Sequence, residues 1–430
     1  MLHDPIFWLI TLFFIPLLLR VPIAASLGFA AIFVIWKWNL GIDVVSYNFF
    51  AGIAKFPLTA IPFFILAGVI MEKAKIAEKI IKFIELIIGP ITGGLAIVTV
   101  AVALFWGAVS GSGPATVAAL GVLLIPAMVR NKYDLPFATS VVSVSSGLAI
   151  IIPPSIGFIV YGVITNASVG ALFAAGIVPG IIMGIALMIV VYFISKRRGY
   201  RGGNWGTPKE IFKAFIDSFW GLLTPVIILG GIYGGIFTPT EAAAVAVFYG
   251  LFVGIFIYKT ITWKVLYKLL VESAISTSVV MIVVTFAGLF SWAGSTIGLI
   301  DKASNLIVSV SNNPYVILIM VNIILLIAGM LLDAISIYYV FLPIFMPIMT
   351  KYHFDPVWFG VLMTVNLAIG QVTPPIAVNL YVGTNISGVS LEELSKEVVP
   401  LVLAAIGALL IITYFPALSL YLPKLFGIYH

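Results

Sequence analysis

The sequence predicts an all-α polytopic membrane protein, built as an inverted repeat of two five-span halves that each carry a re-entrant hairpin. Three observations lead there. Hydrophobic residues make up 62% of the 430-residue chain and charged residues only 9%, against about 25% charged in a typical soluble domain. Apolar runs of about 20 residues, long enough to cross a bilayer as helices, recur from end to end. Two Pro-Pro motifs, GLAIIIPPSIGFIVYG (147–162) and AIGQVTPPIAVNLYVG (368–383), lie about 220 residues apart in matched surroundings.

The elements follow in order. The first span covers about 6–19 and reaches Arg20. It has no basic stretch ahead of it and reads as a membrane helix, not a cleaved leader. The second and third spans cover about 22–38 and 57–72. Residues 71–89, MEKAKIAEKIIKFIELIIG, place Lys and Glu between apolar residues at helical spacing, which fits a helix lying along the membrane surface. Over about 91–130, two apolar flanks meet at SGSGPAT (110–116). Arms of about 16 residues are about 24 Å long, short of the roughly 30 Å hydrocarbon core, so this is a hairpin that returns to the side it came from. Spans at about 135–168 and 170–195 follow, the first broken at 147–155. The basic, Gly-rich linker 196–205 separates the halves. The second half has spans at about 219–237, 239–258 and 273–293. After them come an amphipathic stretch near 296–311, a hairpin at about 312–350 and two final spans, broken at 368–376.

Threaded with both termini outside, Lys37, Lys55, Lys302, Lys351 and Lys424 face out and the other 17 of the 22 Lys and Arg face in, as the positive-inside rule requires. The net charge of +6 then reflects membrane orientation and implies no nucleic-acid partner. The repeat also pairs Pro126 with Pro347, Asp134 with Asp355, and TNAS at Thr165 with TNIS at Thr384. Five spans per half turn the second half upside down, the arrangement of many secondary transporters.

Enzyme chemistry finds little support. There is no cysteine, and His3, His353 and His430 are scattered. No HExxH, GxSxG or Walker A pattern occurs. The chemistry is expected where the helices break. Paired prolines remove backbone donors and clash with the preceding turn. Unwound backbone at membrane depth is tolerated only inside protein or beside an aqueous cavity, where its carbonyls can coordinate a hard cation.

Each half brings a hairpin tip to a break, so two cation sites are expected. The first comprises Ser110, Gly111, Ser112, Thr116, Ser145, Gly147, Ile152 and Pro153. The second comprises Gly329, Leu332, Asp333, Ser336, Gly370, Gln371, Thr373 and Pro374. Ser112 is placed to cap the returning arm, with Pro114 in its first turn. Asp333 stands opposite Ser112 in the repeat. An acid at membrane depth marks function but also caps helices, and the two roles are compatible. Half-helix N-termini are electropositive and suit an anion between them. Ser112, Gly113, Ser146, Pro154, Ser155, Asn366, Pro375 and Asn379 are the expected anion contacts.

At GAVSGSGPATVAALG and GQVTPPIAVNLYVG the sequence resembles the large membrane (M, or DctM-like) subunit of tripartite ATP-independent periplasmic (TRAP) transporters, over essentially the whole chain. The resemblance implies sodium-driven uptake of an organic anion across the bacterial inner membrane; sodium ions are then expected at about two sites, with no organic cofactor. It implies a divalent-anion/sodium symporter fold working as an elevator, a small four-span Q subunit, and a soluble periplasmic P protein that delivers substrate. Because the chain starts at the first M span, Q is expected as a separate chain. Among members the sequence resembles the sialic acid type, with C4-dicarboxylates the other expected class. The elevator reading assigns a scaffold (1–72 and 206–294), amphipathic arms (73–89 and 295–311) and a transport domain (90–195 and 312–430). The alternatives are a stand-alone sodium/dicarboxylate symporter, a channel and a structural membrane subunit.

Overall fold

The structure is a computed structural model and describes residues 3–203 and 205–429. Asn204, inside the expected linker, and the terminal His430 lie outside the described residues. Every regular element among the described residues is helical. The first half runs α1 (Pro5–Leu18), α2 (Ile23–Lys37), α3 (Val44–Ile53), α4 (Ala60–Lys73) and α5 (Ile76–Ile88). The first hairpin is α6 (Gly94–Ser110) and α7 (Gly113–Arg130). Next, α8 (Leu135–Ser145) tightens into a 3-10 turn (Ser146–Ile150), the chain breaks at the prolines, and α9 (Ile156–Thr165) resumes before α10 (Val169–Arg198).

The second half repeats this order: α11 (Pro208–Tyr233), α12 (Pro239–Phe252), α13 (Trp263–Thr296), α14 (Leu299–Val310), the hairpin α15 (Pro314–Leu331) and α16 (Ala334–Tyr352), the broken pair α17 (Pro356–Gly370) and α18 (Val378–Ser387), and then α19 (Leu391–Tyr414) and α20 (Ala417–Leu425). By length and composition, nine helical stretches among the described residues could cross a membrane.

Two helix starts and two short helices differ from expectation. The first helix of the second half starts at Pro208, not near 219, because Thr207 and Glu210 close a capping box around a proline in the first turn. Helix α13 starts at Trp263, not near 273: Thr262 accepts from the Val265 amide and begins the helix about ten residues earlier, inside the charged segment. Helices α3 and α20 were not expected. They are short, at 10 and 9 residues, and too brief for periodicity to reveal.

The packing carries the repeat. Helix α4 packs on α12, and α13 packs on α2. Exchanging each helix for its repeat partner turns one pair into the other. The same exchange relates α7 on α18 to α16 on α9, and α8 on α19 to α17 on α10. The halves are therefore interlocked, each hairpin's returning arm lying against the other half's broken span.

Helix α17 lies deepest, with all of Val357–Gly370 buried. A helix buried on every side must be apolar on every side or pair its polar groups. Thr364 meets the Tyr338 hydroxyl at 2.6 Å, and the Asn366 amide donates to Asn322 Oδ1 at 2.8 Å, which is linked in turn to Thr413.

One crossing is made of backbone alone. A Cβ built on Gly370 would stand 2.5 Å from the Gly329 Cα, and one on Gly329 would stand 2.9 Å from the Gly370 Cα. This contact docks the second hairpin on α17, and no side chain can yield there. Gly370→Ala should lower the thermal midpoint of the purified protein, through an overpacking cost of about 1–3 kcal/mol. Gly407→Ala is the matched control. Its Cβ would meet nothing within 4 Å in α19, and the change should be neutral or stabilising by about 0.5–1 kcal/mol through helix propensity.

Candidate transport site

The first tip is held by its own oxygens. Gly111 takes a left-handed φ of 61°, which ends α6 and lets the chain turn. Its missing side chain leaves room for the break: a Cβ there would stand 2.8 Å from the Pro154 carbonyl oxygen. Ser112 sits extended at the N-cap of α7, but its side chain makes no capping bond, contrary to expectation. Instead its carbonyl collects the hydroxyls of Ser110 at 3.1 Å and Thr116 at 2.8 Å, and those two hydroxyls are 3.1 Å apart. Three oxygens thus form a closed triangle, one face of the oxygen shell that a hard cation takes. The Ser146 hydroxyl donates to the Val142 carbonyl and that of Ser155 to the Ile150 carbonyl. Ser145, Gly147, Ile152 and Pro153 are buried along the same break.

The second tip is built differently. Asp333 caps α16, accepting from the Ile335 and Ser336 amides at 3.0 and 3.1 Å and from the Ser336 hydroxyl. The capping role is met, and it brings the acid to the tip. Leu332 is extended just before it. The Ile376 amide donates to the Met330 carbonyl at 3.1 Å, stitching the tip to the second break. The Thr373 hydroxyl is spent on the Ile369 carbonyl at 2.7 Å.

The first tip meets the second break across the repeat. A Cβ on Gly113 would lie 2.5 Å from Gln371 Oε1 and 2.8 Å from Asn379 Oδ1. Both oxygens are buried and have no hydrogen-bond partner, as do Ser143 Oγ and Asn366 Oδ1. Buried oxygens are rarely left unpaired, and four of them around the breaks mark a region suited to water or a cation.

Between the tips lies a cavity of about 740 Å³. One side is made by Gly111–Pro114, Ile150, Ile156, Gly157, Asp333–Ile335, Tyr338, Thr364 and Gln371. The other is made by Pro22–Ala25 of the start of α2 and by α13 from Val279 to Phe286, and it offers no polar side chain. No lining residue is basic. The starts of α2, α7, α9 and α16 all reach the cavity, and helix N-termini carry partial positive charge. No group of three or more His, Cys, Asp or Glu able to hold a metal occurs among the described residues.

Comparison with known proteins gives the family. The profile described as "Tripartite ATP-independent periplasmic transporter, DctM component" matches residues 10–418. The chain belongs to the DctM family. An isethionate TRAP transporter permease protein, DctMQ, of Oleidesulfovibrio alaskensis is 41% identical over 97% of this chain and 66% of its own length. A sialic acid large permease protein, SiaM, of Vibrio cholerae is 37% identical over 94% of this chain and 95% of its own. A C4-dicarboxylate large permease protein, DctM, of Rhodobacter capsulatus is 36% identical over 96% and 97%. In fold, the chain is similar to the YdaH transporter of Alcanivorax borkumensis, with a TM-score of 0.61 at 12% identity, covering 89% of each chain.

In this DctM chain, five expected residues line the cavity: Gly111, Ser112, Gly113, Asp333 and Gln371. Six expected anion contacts (Ser146, Pro154, Ser155, Asn366, Pro375 and Asn379) do not. The hydroxyls of Ser146 and Ser155 and the Asn366 amide are committed to protein oxygens instead. Sequence reasoning missed Tyr338, Thr364, Gly157 and Phe286. Tyr338 carried a usable signal, lying five residues past Asp333 on the returning arm. Phe286 lies on a plain apolar helix and carried none.

The oxygen triangle makes a direct prediction. Thr116→Val keeps volume but deletes one corner, at a cost of about 1.5–3 kcal/mol for a bond to a charged group. On the sodium-coupled reading expected from the sequence, the sodium concentration for half-maximal uptake should rise about tenfold or more. Thr373→Val, whose hydroxyl serves the helix, should shift it far less. Sodium titration of uptake by the two variants decides between them.

Proposed function

We propose that this chain is the transport subunit of a TRAP system and carries an organic anion inward across the bacterial inner membrane, driven by sodium. Membership of a transporter family and the multi-pass helical fold give the coarse function. The cavity supports the finer reading. Its polar groups come from the hairpin tips, the breaks and the helices beside them, while α2 and α13 offer only apolar side chains. A ligand held by one body and sealed by another suits an elevator, in which 90–195 and 312–430 move against 1–72 and 206–294, with α5 and α14 as hinge arms.

Sodium would sit at each tip. At the first, Ser110, Ser112 and Thr116 supply oxygens; at the second, the backbone carbonyls around Gly370 and the tip carboxylate of Asp333 do. Bound sodium supplies positive charge beside the anion, and the protein's own residues orient it and exclude water. A separate small permease subunit and a periplasmic binding protein complete the system, with both termini of this chain outside. Relatives carry names for isethionate, sialic acid and C4-dicarboxylates, all organic anions.

Reconstitution tests the proposal. In liposomes with its small subunit and loaded binding protein, the chain should accumulate anion only when sodium is high on the binding-protein side. Equal uptake without a sodium gradient would refute the coupling. Full uptake by this chain alone would favour a stand-alone symporter.

A further inference from the structure

The apolar wall of the cavity, opposite the tips, carries a ring. Among the described lining residues of α2 and α13, Phe286 alone is aromatic; the others are proline, alanine and branched aliphatic residues. The ring lies in a notch on α2. Gly28 is buried there, and a Cβ on it would overlap the ring at Cδ1 and stand 2.6 Å from Cε1 and 2.9 Å from Cγ. Carbon atoms settle at about 3.5–4.0 Å, so the notch holds the ring or a side chain at position 28, not both. Phe49 of α3 closes another side, edge-on to the ring at 5.2 Å and 89°. Helical side chains lean over the turn that precedes them. For Phe286 that turn holds Ile282 and Val283, both on the cavity wall. The ring also marks the cavity's end. Tyr338 lines the cavity and Tyr339 a neighbouring crevice of about 330 Å³; on α13 the change falls between Phe286 and Gly288. The fold itself does not call for an aromatic here. Aligning FILAG (64–68) with VTFAG (284–288) puts Leu66 opposite Phe286, and α4 packs on α12 as α13 packs on α2.

We infer that Phe286 sets the size limit of what the cavity admits, and that Gly28 is the positioning residue that keeps its ring drawn back against α2. With the ring in the notch, the cavity keeps its volume of about 740 Å³. A side chain at position 28 turns the ring over Val283 and into that space, where it crowds a bulky ligand and leaves a small one untouched. The consequence for transport rests on the reading above. Selection by bulk is then made on the apolar wall, apart from the polar groups of the tips and breaks, and one glycine governs it from outside the cavity: Gly28 does not line it.

Thiol labelling of the purified full chain tests this. The native chain has no cysteine, so Val283→Cys puts a single thiol on the cavity wall, one turn before Phe286. Its labelling rates with N-ethylmaleimide and with the much larger fluorescein maleimide share one chemistry, and their ratio reads the room available. Adding Gly28→Ala should slow the larger probe relative to the smaller by at least about fivefold, the effect expected of overpacking. Adding Phe286→Leu as well, the residue of the other half, should bring the ratio back towards that of Val283→Cys alone. A ratio unchanged by Gly28→Ala would overturn the inference. So would equal slowing of both probes, or a shift that Phe286→Leu does not reverse. Should Gly28→Ala prevent folding, Phe286→Leu beside Val283→Cys decides: the larger probe should gain on the smaller, and no gain would overturn the inference. Labelling asks only what fits, so a chain that labels as expected and takes up no anion in liposomes would sink the transport reading and leave the size limit standing.

Discussion

Backbone that leaves its helix inside a membrane-spanning protein must find every hydrogen bond within the protein, and most of this structure answers that demand. The chain interrupts its helices at four places, two hairpin tips and two Pro-Pro breaks. Each interruption is closed by another. The Gly111 tip seats against the Pro154 carbonyl, and the Met330 carbonyl takes the Ile376 amide beside the Gly329–Gly370 contact. Glycines stand at these contacts because the partners are backbone atoms and cannot move aside as side chains do. The oxygens left over collect where the four interruptions converge, which is how a polar site comes to exist at the centre of an apolar chain.

Interlocking of the halves follows from the same demand. A half that closed its own tip and break alone could stand as a unit. Here Gly113 of the first tip presses on Gln371 and Asn379 of the second break, and Asn379 donates to the Ser143 carbonyl of the first. Each tip closes on its own half's break, and the first tip leans on the other half's break as well. The outer ends are tied in the same fashion. The Tyr200 hydroxyl donates to Asp134 before α8, and the Tyr429 hydroxyl donates to Asp355 before α17. Burial, with the bond to Asp134, raises the Tyr200 pKa, so this tether stays protonated. The first tether is reinforced across the repeat, by Arg198 bridging Asp134 to Glu397.

The fold was legible in the sequence to the extent that it rests on length, hydropathy and repetition. Hairpin arms of 17 and 18 residues sit where two short apolar runs flank SGSGPAT. The Pro-Pro motifs located both breaks because proline acts locally. The site was only partly legible, for a different reason. Serines and asparagines beside a break look alike in sequence whether they face a cavity or fold back onto a helix carbonyl. Ser146, Ser155 and Thr373 fold back, and only packing decides that. The Gly113–Gln371 contact joins residues from opposite halves, and no local pattern announces such a neighbour. The capping box at Thr207 is the reverse case. Its TPKE signal is plain in the sequence, and the charge around it obscured the helix start.

On the proposed reading, the absence of a basic side chain from the cavity becomes a reason for sodium coupling. A lysine or arginine there would hold an anion whether or not sodium was present, and in the empty cavity it would need a counterion of its own at membrane depth. Helix N-termini attract more weakly, and Asp333 sets a negative charge against them. The empty cavity therefore holds an anion poorly. Two bound sodium ions reverse the sign of the local charge. The anion favours the sodium-loaded state by the same free energy with which sodium favours the anion-loaded one. Coupling of this kind needs no dedicated linkage between the sites, only their closeness and a wall that supplies no charge of its own to the anion.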